Sequence, residues 1–405
     1  MSELVASIFG KYATSEALQL IIDKRMDKFK TREFSKYLSW GIPQVGLSFK
    51  DVIGKSKLDT LASVVGEDSV SPVRSRSGLA SFEGDIPTIS HKYIMKKSDY
   101  RDYVTLQNMG NVDDDSKKKQ IIDLIFNDIE FAANGCTGRL DVMFLQALST
   151  GMIDLSATGN PDGVAYGEIP VGLPTENVIE TSKDWSDPTA TPLADMEAVI
   201  DAAQSKGNDG FEKIIMTRAT FNKLKNSAEI QNIFKGTVGR VPVLVTQDNL
   251  NEYLKSNGLP PIELQTSLFN IEEDGITRSF RAFADDVIVF VPQGELGKVK
   301  NALVVEGDLT KVSGHSYANV DKVKIAKWSK TEPFNEFTRG ELLAIPSITA
   351  IDAVYHLKLT GGSAGRMSLN SLDLQSKDIE DEGELQEEAG NEEVTVETAA
   401  KTAKK

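Results

Sequence analysis

Residues 113–147 read DDDSKKKQIIDLIFNDIEFAANGCTGRLDVMFLQA. Ile122, Ile125, Phe126, Ile129, Ala133, Cys136, Leu140, Met143, Phe144 and Ala147 recur at steps of three and four. That spacing predicts a single apolar face on one α-helix. The stripe persists for about 33 residues, roughly 50 Å at the rise of an α-helix. A helix spanning 113–150 is therefore expected to be the structural spine, with Ile125, Ile129, Cys136 and Leu140 in its core. Asp113–Asp115 place acids at the positive end of the helix dipole, and Gly151 stops the helix. Gly135 and Gly138 each weaken it by about 1 kcal/mol relative to alanine, and mark the place for a bend.

Ahead of this helix, Val45, Leu47 and Phe49 alternate with smaller or polar residues, and so do Ile89, His91, Tyr93 and Met95. Both runs read as strands. The residues between them, 54–87, are rich in Ser and Gly, with scattered charges that include Arg74, Arg76, Glu83 and Asp85. A connection that long inside a compact domain is usually functional or disordered. Bracketing strands favour a long hairpin over about 44–97 that projects from the body. Still nearer the N-terminus, Thr14–Phe34 reads as an amphipathic helix started by Thr14 or Ser15 and ended by Gly41 and Pro43.

Behind the helix, a Gly/Pro-rich stretch leads into helices at Leu193–Ala203, Ala219–Lys225 and Asp248–Lys255. The last of these is expected to be capped by Asp248. Ile214–Met216, residues 259–266 and Val287–Val291 read as strands, so roughly 190–315 forms a mixed α/β domain. Alternation around Val323 and Ile325, and around Tyr355, Leu357 and Leu359, predicts half-buried antiparallel strands. Residues 371–405 hold eleven acids against four lysines, a net of −7 out of the chain's −15. With so few large apolar residues, that tail cannot repay the entropy of ordering.

Across 405 residues the charge balance shows no basic stripe. Affinity for DNA comes mainly from phosphate neutralisation, so sequence reading of DNA is excluded as the main task, while enclosing DNA is not. No apolar run reaches the ~20 residues that span a bilayer. The start, MSELVASIFGKYATSEALQL, lacks the features of a signal peptide, and the single Cys136 excludes an intrachain disulfide.

No catalytic, cofactor or metal site emerges from the motifs. Gly361-Gly-Ser363-Ala-Gly365 matches G-x-S-x-G, but no histidine follows it, so it reads as a hinge. His91, His315 and His356 fall on separate elements, as surface or sheet-face residues. Cys136 sits on the apolar stripe as a small hydrophobe. Asp113–Asp115 lack the alternating ligands of a calcium loop, and Asp285-Asp286 reads as a turn. Gly54-Lys55-Ser56 has Phe49 where a phosphate loop needs its first glycine.

The order of arm, long hairpin, very long helix, mixed α/β domain and return strands resembles the major capsid proteins of tailed phages, with the Hong Kong 97 fold. The stretches Trp185-Ser-Asp-Pro-Thr-Ala-Thr-Pro-Leu-Ala-Asp-Met-Glu-Ala, Trp328-Ser-Lys-Thr-Glu-Pro-Phe-Asn-Glu-Phe-Thr-Arg and Ala344-Ile-Pro-Ser-Ile are similar to the lambda-like branch. This resemblance covers about residues 10–360. It implies an α+β fold with an N-arm (1–42), an extended E-loop (43–110), a P-domain (111–190) holding the spine helix, an A-domain (191–315) and P-domain return strands (316–360). Residues 361–405 match nothing expected of that branch and read, from composition, as an acidic disordered tail. It further implies a structural protein rather than an enzyme, forming hexamers and pentamers that close into an icosahedral shell around double-stranded DNA. Its implied partners are further copies of itself, a separate scaffolding chain, a portal protein and a decoration protein. Assembly would take place in the bacterial cytoplasm, with no membrane involved. Arg74, Arg76, Glu83 and Asp85 would then be candidates for pairing between subunits. A cytoplasmic enzyme with an inconspicuous site, an encapsulin-like shell and a tail component are the alternatives.

Overall fold

In the computed structural model the spine helix runs without interruption from Asp114 to Thr150, 37 residues or about 55 Å. Residues 4–5, 7, 9–54, 80–108, 114–156, 159–161, 163–208, 210–235, 245–273, 276–332 and 334–360 are described. Contacts divide the chain into two units, Met1–Asn370 and Ser371–Lys405, and all the described residues belong to the first. The helix continues through Gly135 and Gly138 without a break. Gly135 instead permits close approach, since a Cβ there would stand 2.1 Å from Nδ1 of His91 on a strand crossing the helix. Ile125, Ile129, Cys136 and Leu140 are fully buried. From Leu140 to Ser149 every residue is buried, so the single stripe dissolves where the helix is covered on all sides.

A seven-stranded sheet packs on the helix around one long strand, Phe334–Ser347. On one side it pairs antiparallel with Val323–Thr331. On the other side its first half pairs with Thr88–Met95 and its second half with Gly297–Ala302. Ser316–Val320 and the short strand Leu4–Val5 share the outer edge of Val323–Thr331. Leu38–Trp40 lies parallel to Gly297–Ala302.

The second, five-stranded sheet has the order Ile262–Gln265, Phe211–Thr217, Val287–Pro292, Tyr355–Lys358, Val178–Glu180. Helices Pro192–Ser205, Arg218–Asn226, Ala228–Lys235 and Gln247–Ser256 supply its core, together with Trp185, Phe290 and Tyr355. Trp185 Nε1 donates to Asp195 Oδ2 at 2.9 Å, pinning the Trp-Ser-Asp-Pro turn to the first of these helices.

Strand pairing does not follow chain order. Gly297–Ala302, read with the mixed α/β stretch, belongs to the seven-stranded sheet, whereas Tyr355–Lys358, read with the return strands, belongs to the five-stranded one. The half-buried alternation is also corrected. Val323–Ser329 and Val354–Leu357 are buried on both faces, so polar residues in those strands point into packed surroundings rather than water. His356 is the clearest case: it is fully buried, with Nε2 2.8 Å from the Leu148 carbonyl, and desolvation lowers its pKa to about 4. Thr246, not Asp248, caps the helix Gln247–Ser256, its hydroxyl accepting from Asn249 N. Thr14 caps the first helix, which ends at Asp23 because two short 3-10 turns replace its expected continuation.

Candidate assembly surface

Strands Ser48–Ile53 and Ala80–Asp85 form the described stem of the expected hairpin, in antiparallel register from Ser48↔Asp85 to Ile53↔Ala80. Its inward phase continues the alternation the sequence suggested, but the strand begins only at Ser48, past Val45 and Leu47. Phe49 and Ile53 face inward with Phe82 and Ile86, while Val45 and Leu47 are exposed. The Phe49 and Phe82 rings meet edge to face, centroids 5.0 Å apart. Asp51 shares the inward phase and clamps the stem to the seven-stranded sheet, 2.5 Å from Lys300 Nζ and accepting from Ser347 Oγ at 2.5 Å. Sequence reading overlooked Asp51, although an acid two residues from each of two inward apolar neighbours was a visible signal.

The stem is thus built into its own subunit, while residues 55–79 of the expected hairpin lie outside the described residues. Glu83 pairs across the stem with Lys50 at 2.7 Å, and both ends of the pair are well exposed. Asp85 is exposed as well. Arg74 and Arg76 lie outside the described residues, and with them the expected pairing to Glu83 and Asp85.

Exposed apolar residues gather beside the stem. Ile42 is 93% exposed, and Val45, Leu47 and Val52 are also in solvent. Backbone bonds from Gly41 N to Val299 O and from Gln44 N to Asn301 O fix this segment along the strand Gly297–Ala302. Just past the end of that strand come Val305 and Leu309, both exposed. Clustered exposure of this kind marks an interaction surface more often than scattered single residues do.

A second exposed group lies where strand Thr88–Met95 crosses the helix. Tyr93 and Phe131 are exposed, ring centroids 5.5 Å apart, with Ile94 beside them. A cleft of about 1220 Å³ adjoins them, with Arg32, His91, Phe131 and Arg139 in its walls. Burial lowers the pKa of both guanidinium groups, Arg32 donating to the Asn134 carbonyl at 2.6 Å and Arg139 to Asn160 Oδ1.

The chemistry on offer is that of packing. Among the described residues, no group of three His, Cys, Asp or Glu side chains could hold a metal ion. Burial pushes the Cys136 thiol up to about 12, leaving it unreactive. His315 is engaged by Glu306 at 2.5 Å and stacks on Trp328.

The model of the family described as phage major capsid protein E matches residues 55–359, most of the chain. The chain belongs to that family. This capsid protein is a structural component of the virion shell that associates with copies of itself, and it is not an enzyme. No curated protein matches its sequence. Among solved structures, it is similar to a candidate capsid protein from a prophage of E. coli CFT073, with a TM-score of 0.53 and 15% identity. That match covers 85% of this chain and 99% of the other. It is also similar to the capsid of cyanophage A-1(L), with a TM-score of 0.41 and 12% identity over 81% of this chain and 93% of that one. The fold is the Hong Kong 97 type, with the long helix at its centre. In this capsid protein Ile42, Val45, Leu47 and Val52 beside the stem, and the Tyr93–Phe131 pair, are exposed apolar features of the described residues.

Proposed function

We propose that the chain assembles as hexamers and pentamers into an icosahedral shell around a double-stranded DNA genome, as a lambda-like major head protein. The observation that carries this reading is the family match across residues 55–359, which takes in the second strand of the hairpin stem, the spine helix, the five-stranded sheet and most of the seven-stranded sheet. Residues 1–42 act as the N-arm and 43–110 as the E-loop. The spine helix and seven-stranded sheet act as the peripheral domain, and the five-stranded sheet with its helices as the axial domain. A separate scaffolding protein, a portal protein and a decoration protein are the further partners. The acidic balance of the chain, −15 overall, keeps packaged DNA from adhering to the wall.

Electron microscopy of the protein produced with its scaffold tests the reading. Closed shells, or capsomers with five- and six-fold symmetry, are expected. A discrete monomer or dimer at every concentration, with no shells, would overturn it.

A further inference from the structure

Lys327 is a buried charge that the exposed assembly surface does not use. Its side chain is 0% exposed, in the middle of strand Val323–Thr331. Nζ donates to Thr338 Oγ1 at 2.7 Å and stands 3.4 Å from Asp128 Oδ2 and 3.7 Å from Glu336 Oε1. Asp128 belongs to the spine helix, Glu336 and Thr338 to the long central strand, and they are 7%, 2% and 1% exposed. The Phe9 ring lies 5.2 Å from Nζ, and Ser7 donates to Glu336 Oε1. Two carboxylates therefore share one ammonium in a site closed by the N-terminal segment. Such an enclosure favours neutral forms over ions, and burial raises the pKa of Asp128.

We propose that Lys327 and Asp128 form an intramolecular isopeptide bond that staples the spine helix to the seven-stranded sheet. A proton passes from the Lys327 ammonium to the Asp128 carboxylate, giving a free amine beside a neutral acid. Reacting atoms held roughly 3–3.5 Å apart are close to attack geometry, and the Asp128 carboxyl carbon is one bond from the oxygen nearest Nζ. Thr338 and Glu336 take the two amine hydrogens and turn the lone pair toward that carbon. Nitrogen attacks and the N–C bond forms. Glu336 receives a proton from nitrogen and passes it to the departing hydroxyl, which leaves as water. The step consumes one amine and one carboxylic acid and yields one amide and one water, with no oxidant or reductant. Its product removes two charges from the interior and leaves Glu336 ionised beside Ser7.

Mass spectrometry of the folded full chain, unfolded immediately before measurement, decides the matter. The wild type is expected to be lighter than its sequence by one water. A tryptic digest is expected to yield the peptide of residues 120–139 joined to the one containing Lys327, with no cleavage after Lys327. Asp128→Ala and Lys327→Met abolish the link. Asp128→Asn retains it, because the same amide forms with loss of ammonia. Recovery of unlinked peptides ending at Lys327 from folded wild type would overturn the proposal and leave a buried ion pair. That measurement needs no variant, so a substitution that prevents folding does not blunt the test. Unchanged kinetics of water loss in Glu336→Gln would overturn the role given to Glu336.

Discussion

Gly340 crosses the spine helix directly over Ala132, so closely that a Cβ on the glycine would stand 2.7 Å from the Ala132 carbonyl oxygen. The contact joins the middle of the helix to the middle of the central strand. Both partners are backbone or nearly so, and no side-chain rotation can relieve an added atom. Gly340→Ala is therefore expected to destabilise the subunit by about 1–3 kcal/mol through overpacking. Chemical denaturation of the unassembled subunit measures this, and an unchanged midpoint would show that helix and sheet can slide apart freely.

Ile129 is fully buried on the same helix. Ile129→Asp places an unpaired carboxylate in the main core, at a penalty of several kcal/mol. Insoluble protein is expected. Soluble variant protein that still builds shells would show that this face is not core.

The apolar segment beside the hairpin stem calls for the opposite response. Ile42 and Val45 are largely exposed within the subunit. Replacing both by serine should leave subunit stability within about 0.5 kcal/mol of wild type while reducing shell yield in the electron microscope. Normal yield would remove the segment from the contacts between copies.

Arg74→Glu with Arg76→Glu tests the charged part of the hairpin. The double variant is expected to leave subunit melting nearly unchanged and to suppress shells. One rim pair is worth only about 0–1 kcal/mol, but a closed shell repeats it in every subunit. Full-sized shells would sink these arginines as contact residues.

Acid should weaken the subunit through His356. Its pKa falls from an ordinary 6.5 to about 4 in the folded protein, because burial disfavours the imidazolium. Above pH 6.5 both states are neutral and the histidine contributes no pH dependence. As pH falls from 6.5 toward 4, the unfolded chain takes up the proton first, so stability declines through that window, by at most about 3 kcal/mol. Carboxylates titrate nearby, so the readout is the difference between wild type and His356→Leu in urea midpoints from pH 7 to pH 4. Parallel curves would show that His356 is protonated without unfolding.

Periodicity alone located the spine helix, because an apolar residue every three or four positions has few other solutions over so long a stretch. Order along the chain pointed to a hairpin and a mixed α/β stretch, but the stem pairs Ser48–Ile53 with Ala80–Asp85, inside the stretch read as a polar loop, while Thr88–Met95 joins the seven-stranded sheet. Extent was harder. Val45 and Leu47 share the alternation of Phe49, Asp51 and Ile53, yet only the latter three turn inward, and Asp51 is fixed there by Lys300 and Ser347. Those partners lie some 250 and 296 positions away, beyond the reach of any local pattern.

By itself the sequence determined the spine helix, several of the other helices and strands, the acidic balance and the absence of a recognisable catalytic motif, since each depends on residues close together in the chain; it did not mark the helices Lys97–Asn108 and Ala228–Lys235 or the central strand Phe334–Ser347. Only the tertiary structure decided which sheet each strand joins. Gly297–Ala302 and Tyr355–Lys358 exchange the places that chain order suggests, because pairing energy depends on which edges meet in space. It also decided the meaning of the polar residues inside those strands. Lys327 and His356 look like the solvated half of an alternating strand, and became buried groups only when the helix closed over one face and the N-terminal segment or second core over the other.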